Sequence, residues 1–223
     1  MRRKGCVWIT SGLLLIAAAL LMTGYNLRQS RQAGDESRKI VEHLDEIISA
    51  QPTEAAAQEQ FTLPAPKQPD RQPGQLPSEE ALPDYIRNPD MEMPVEMING
   101  NAYIGVLELP TLGLELPVMS EWSYSKLKVA PCRYKGSAYS HNLIILAHNY
   151  STHFGTLKDL GIGDPVTFTD ADGNVFRYEV LELETLMPSA IEKMESGDWD
   201  LTLFTCTVGG QSRVTVRCVT QEE

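Results

Sequence analysis

Residues 6–25, CVWITSGLLLIAAALLMTGY, form an uncharged run of 20 positions close to the start of the chain. A helix of that length crosses about 30 Å of hydrocarbon at ~1.5 Å per residue, so the run reads as a membrane span. A cleaved signal peptide has a shorter apolar core of roughly 7 to 15 residues, followed by a small-x-small site. The following TGYNLRQSR offers only a poor one, which favours an uncleaved anchor. Arg2, Arg3 and Lys4 precede the span and predict residues 1–5 in the cytoplasm, with everything after the span outside the cell. Arg28 and Arg31 act against that orientation. The expected location is therefore the cell membrane, crossed once, with an extracellular domain.

Two segments separate the anchor from that domain. In residues 26–50, Ile40, Val41, Leu44, Ile47 and Ile48 recur at helical spacing between charges, which predicts an amphipathic stalk helix without chemistry of its own. Residues 51–97 hold nine of the chain's 14 prolines and few branched apolar residues. Such a composition buries too little surface to offset its ordering entropy, so an extended extracellular linker is expected.

The domain proper is predicted over residues 98–223. AYIGVLELP, LGLELPVM, NLIILAHN, DPVTFTDADGNVFRYEVLELETL, LTLFTC and SRVTVRC are short β-branched and aromatic runs, and the DADGN stretch between Thr169 and Val175 is a hairpin turn. Seven or eight such strands predict an all-β domain, a closed or nearly closed antiparallel barrel. Short helices are expected at SEWSYSKLKVA, capped by Ser120, at THFGTLKDL and at MPSAIEKMESGD.

A net charge of −11, with no basic stripe in the second half, excludes a nucleic-acid surface, which needs clustered Lys and Arg. Of four cysteines, Cys6 lies in the span and Cys132, Cys206 and Cys218 lie beyond it, an odd number that leaves at least one thiol outside a disulfide. Cys218 shares strand parity with Val214 and Val216 and reads as core, and Cys132 is its possible partner. Cys206 ends an apolar strand and is the candidate nucleophile, since a thiol needs a base or cation beside it to react. His148 ends its own strand in the same way, whereas His141 and His153 flank that strand and His43 belongs to the stalk. Arg213 opens the last strand after the loose Gly209–Gly210 turn, where its guanidinium could stabilise an oxyanion. Arg217, on the same face, is the competing candidate, farther down the wall.

LTLFTC resembles the sortase signature Thr-Leu-x-Thr-Cys at Thr202, Leu203, Thr205 and Cys206. LIILAHNY with the HFGTLKDLGIGDPV after it resembles the sortase histidine strand, and SRVTVR the arginine strand. The resemblance covers roughly residues 98–220 and fits a signal anchor and spacer, as in many Gram-positive sortases. It implies an eight-stranded β-barrel cysteine transpeptidase. Cys206 would attack a carbonyl of a C-terminal sorting signal, Leu-Pro-x-Thr-Gly-like, on a secreted protein. His148 would move protons, Arg213 would hold substrate and oxyanion, and Thr205 would support the site. An amine of a cell-wall precursor would resolve the thioacyl enzyme. Ala147 stands where many sortases have Gly. Residues 88–93, NPDMEM, lack the aromatic of the lid found in pilus-polymerising members, which favours a protein-anchoring type over the pilus-polymerising alternative. No cofactor is expected; calcium at Glu192, Glu195 and Asp198, as in some class A members, is the minor alternative. The SHGxRNC-like run of L,D-transpeptidases and the early helix-start cysteine of papain-like proteases are missing, and a non-enzymatic surface barrel would leave His148 and Arg213 as coincidence.

Overall fold

The computed structural model describes residues 2–50 and 83–221. Most of the Pro-rich linker, residues 51–82, lies outside the described residues. The anchor and the stalk form one unbroken helix, α1 (Arg2–Ala50). A short α2 (Asp84–Arg87) leads into β1 (Glu96–Ile98), β2 (Asn101–Leu109), β3 (Leu114–Met119), β4 (Cys132–Lys135) and β5 (Leu143–Ala147). β6 (Pro165–Asp170), β7 (Val175–Leu186), α3 (Ile191–Glu195), β8 (Leu201–Cys206) and β9 (Arg213–Thr220) complete the chain.

The sheet order is β1-β2-β3-β4-β5-β8-β9-β7-β6, and β6 returns to pair with β2. Strands β2 to β9 thus close an eight-stranded barrel, and β1 extends it along β2. The barrel is mixed rather than antiparallel as the sequence predicted: β3 meets β4 in parallel, and β5 runs parallel to β8 from Leu143↔Leu201 to Ala147↔Thr205. Alternation along a strand reports which face is buried but not the direction of its neighbour, which only the long excursion from Ala147 to Leu201 decides. Gly105 (φ 149°) permits the β2–β6 closure, since a Cβ there would lie 2.0 Å from the Thr169 carbonyl oxygen.

Inward-facing Ile104, Leu107, Val118, Leu143, Ile145, Phe168, Leu201, Leu203, Val216 and Cys218 fill the barrel. A second apolar cluster lies on the outer face of β2, β3 and β4, where Tyr103, Val106, Met119 and Cys132 meet Ile40, Val41 and Leu44 of α1. The expected stalk helix is therefore docked along the wall, and its periodic face extends back through Ser37 and Ala33 to Ser30, all buried. Burial of this stripe is what stabilises the helix beyond its own propensity.

The three expected short helices contract. Only Ile191–Glu195 is α-helical; Phe154–Asp159 and Lys126–Lys128 are 3-10 turns. Ser120 is not a cap: its backbone N–H continues the pairing to the Ala102 carbonyl, and the Ser123 hydroxyl accepts the Lys126 N–H instead at 3.2 Å. The Pro-rich composition also does not keep residues 83–98 off the domain. Tyr85 stacks on Tyr139 with centroids 4.7 Å apart, and Met93 is buried. Tyr85 also meets Phe176 at the start of β7 and the Pro89 carbonyl accepts from the Ser140 hydroxyl, so residues 85–93 sit by the β6–β7 turn, at the barrel end opposite Cys206, while Ile98 joins the α1 cluster.

Candidate active site

Three neighbouring strands end together. The parallel register stops at Ala147↔Thr205, so His148, the first residue past β5, and Cys206, the last residue of β8, come next side by side. Across the antiparallel pair, Cys206 is directly opposite Arg213 at the start of β9. Parity places all three on one face. Leu143, Ile145 and Ala147 point into the barrel, as do Leu203 and Val216, which puts His148, Cys206 and Arg213 on the outside. Lower on that outer face Ile144, Phe204 and Leu186 are covered by Met194 of α3, while Cys206 at the strand end is exposed. The buried Thr205 hydroxyl donates to the Ala147 carbonyl at 2.9 Å and ties the histidine strand to the cysteine strand one residue before the chemistry.

The turn from Cys206 to Arg213 is closed by the Thr207 N–H on the Ser212 carbonyl (2.9 Å) and by the Gly210 N–H on the Thr207 carbonyl (2.8 Å), with Gly209 and Gly210 at positive φ. The Arg213 guanidinium leans on this turn through Nη1, which donates to the carbonyls of Gly210 (3.2 Å) and Ser212 (3.1 Å). Arg217 is spent elsewhere. It is buried, paired with Glu184 at 3.0 Å, and donates to Thr202 Oγ1 and to the carbonyls of Met194 and Lys193. The competition between the two arginines resolves in geometry: Arg217 fastens α3 to the wall.

His148 is half-buried and its imidazole lies flat against Tyr150, with centroids 4.0 Å apart and planes 10° from parallel. Its Nδ1 has no hydrogen-bond partner among the described residues. Burial holds its pKa below the usual histidine value; a hydrogen bond with Asn149 opposes this and the charge of Lys128 reinforces it. The ring is thus neutral at pH 7 and able to accept a proton. His153 is fully buried behind it, 3.4 Å from the Ser37 hydroxyl, with its pKa lowered to about 4 by burial first and His148 second. His141 pairs with Asp200 at the far end of the barrel, beside an open cleft lined by Glu179 and Thr220. His141 is thus away from Cys206, and His153 is enclosed against α1.

Cys132, Cys206 and Cys218 are all free thiols. Cys132 belongs to the outer cluster under α1 and Cys218 to the barrel interior, on opposite faces of the sheet, so the pairing considered from sequence is not made. Among the acids considered for calcium, Glu195 is taken by Lys135 at 2.6 Å and by the Tyr134 hydroxyl at 3.1 Å. Among the described residues no group of three His, Cys, Asp or Glu is gathered to hold a metal.

A sortase domain model matches residues 107–221. The chain belongs to the sortase family. The fold agrees with solved sortases: sortase C of Streptococcus pneumoniae superposes with a TM-score of 0.56 at 20% identity, over 83% of this chain and 97% of that one. Sortase C1 of Streptococcus agalactiae gives 0.51 at 20% identity, over 66% and 78%. No curated protein sequence matches the chain. The candidate residues His148, Cys206 and Arg213 of this sortase all stand at strand ends. Sequence reasoning missed Tyr150 and the helix residues behind it, because a stack and a docked helix are long-range contacts that leave no local pattern. α1 is also the one helix among the described residues long and apolar enough to cross a membrane.

Proposed function

We propose that this sortase is a cysteine transpeptidase that cuts a C-terminal sorting signal, Leu-Pro-x-Thr-Gly-like, from secreted proteins and joins them to a cell-wall amine. The observation that carries the reading is the register: Cys206 opposite Arg213, with His148 leaving the adjacent parallel strand on the same outer face. The Cys206 thiolate attacks the scissile carbonyl carbon, and Arg213 faces the charge that develops on its oxygen. His148 takes the proton of the Cys206 thiol as the thiolate forms and gives that proton to the leaving amine as the C–N bond breaks, which leaves a thioacyl enzyme. An incoming amine then attacks, His148 takes its proton, and the thiolate departs. Water in place of the amine gives hydrolysis. No resident cofactor enters these steps.

In this reading α1 anchors the enzyme in the cell membrane by a single pass, with the barrel outside. Protein anchoring is favoured over pilus polymerisation because residues 85–93, which include NPDMEM, pack at the end away from Cys206. The test is intact mass spectrometry of the detergent-solubilised full chain with Leu-Pro-x-Thr-Gly and Asn-Pro-x-Thr-x peptides, with and without amine. An adduct on Cys206 that amine discharges supports the reading. A site inert to every peptide, with Cys206 unreactive to small thiol reagents, refutes it. Discharge by a pilin lysine but not by a cell-wall precursor amine would favour the pilus type.

A further inference from the structure

We propose that Tyr150 is a positioning residue for His148 and that the anchor helix α1 holds it there, which makes α1 a working part of the reaction centre. The proposal rests on the reading of His148 as the proton shuttle. A shuttle histidine is ordinarily oriented by a hydrogen bond on the ring nitrogen away from the chemistry. His148 Nδ1 has no such partner among the described residues, its hydrogen bond with Asn149 comes from the adjacent residue of the same loop, and the broad contact on the ring is the parallel face of Tyr150. Stacking fixes the plane of the imidazole where a carboxylate would fix its edge.

Tyr150 is itself fixed from α1. Its hydroxyl donates to Gln29 Oε1 at 3.2 Å, and Gln29 Nε2 donates to the Tyr25 hydroxyl at 2.9 Å, at the end of the uncharged run. The next three residues repeat the attachment. Ser151 and Thr152 meet the Ser30 hydroxyl at 3.2 and 3.3 Å, Thr152 also donates to the Ser30 carbonyl at 2.8 Å, and His153 meets Ser37. Thr152 approaches so closely that a Cβ on Gly34 would lie 2.8 Å from it. The loop is closed on its own side by the Phe154 N–H on the His148 carbonyl and the Gly155 N–H on the Tyr150 carbonyl. A shift of α1 therefore moves Tyr150 and, through the stack, His148. Besides Tyr150 and Cys206, Lys128 and His153 are coupled by charge to the His148 ring, and neither replaces the stack.

The experiment uses the full chain in detergent, with a Leu-Pro-x-Thr-Gly peptide and an amine. Tyr150→Leu is expected to lower kcat by about 20-fold or more with KM within about twofold, since small misplacement of a catalytic group is costly. By NMR, the His148 titration should move upward as burial is lost. Tyr150→Phe keeps the ring and should retain kcat within about fivefold. Gly34→Leu touches no reacting group but pushes α1 off Thr152, and should lower kcat like Tyr150→Leu in part. Melting temperature and labelling of Cys206 verify that each variant folds. If folded Tyr150→Leu keeps kcat and the His148 titration, the positioning role is overturned; if Gly34→Leu keeps kcat, the part assigned to α1 is overturned. Full turnover in His148→Ala would instead overturn the proton-shuttle reading.

Discussion

Cys206 and Cys218 lie on either side of one hairpin and differ in what governs a thiol. Cys218 is buried in the barrel and Cys132 under α1, and burial pushes both pKa values up to about 12, out of reach of the thiolate form at neutral pH. A small alkylating reagent on the folded protein is expected to label Cys206 alone, mapped by peptide mass spectrometry. Cys206→Ala should abolish turnover with an unchanged melting temperature. The two arginines separate in the same way. Arg213→Gln should cost about 10² to 10³ in kcat with little loss of stability, as expected of an oxyanion donor at a strand end. Arg217→Ala, which leaves Thr202 Oγ1 and the Met194 and Lys193 carbonyls without their donor while Glu184 keeps Lys193, should destabilise by about 1 to 3 kcal/mol, read from chemical denaturation. His153 gives the protein an acid sensitivity. Its folded pKa of about 4 lies below the unfolded value near 6.5, so as pH falls the unfolded chain takes up the proton first. Stability from this group is complete above about pH 6.5, declines as pH falls towards 4 and levels off below, for a total on the order of 3 kcal/mol. Melting curves across that window should show the decline, and His153→Asn should flatten it.

At the scale of elements, the β5–β8 pair and α1 divide the work. The parallel pair sets which side chains leave the barrel together, and the Thr205 to Ala147 hydrogen bond fixes its end. α1 backs the loop that follows β5. Leu44 has no exposed surface, between α1 and the wall. Leu44→Ala is expected to cost about 2 to 5 kcal/mol by loss of packing and a residual cavity, with faster hydrogen exchange along residues 37–48. Sequence periodicity found the apolar stripe of this helix at Ile40, Val41 and Leu44, because a 3.6-residue repeat is local. It could not say that the stripe covers Tyr103, Val106 and Met119, because those residues read as ordinary strand positions whichever face they bury.

For the whole molecule, α1 joins the apolar run to the barrel without a break, and it meets the barrel first at residues 150–153, the end that carries His148 and Cys206. The barrel without residues 1–50 should therefore be less stable and should bind an apolar dye, since Ile98, Tyr103, Val106, Met119 and Leu127 lose their cover. Dye fluorescence and melting of that fragment beside the full chain check it. The sequence by itself determined the apolar run, the strands, the barrel class and the positions of Cys206 and His148 at strand ends, because hydrophobic period and turn chemistry are written within a few positions. Only the tertiary structure decided the parallel pairing of β5 with β8, the separation of Cys132 from Cys218, the burial of Arg217 and the stack of Tyr150 on His148. Each of these depends on which distant segments meet, and that is settled by closure of the barrel and docking of α1 rather than by any local pattern.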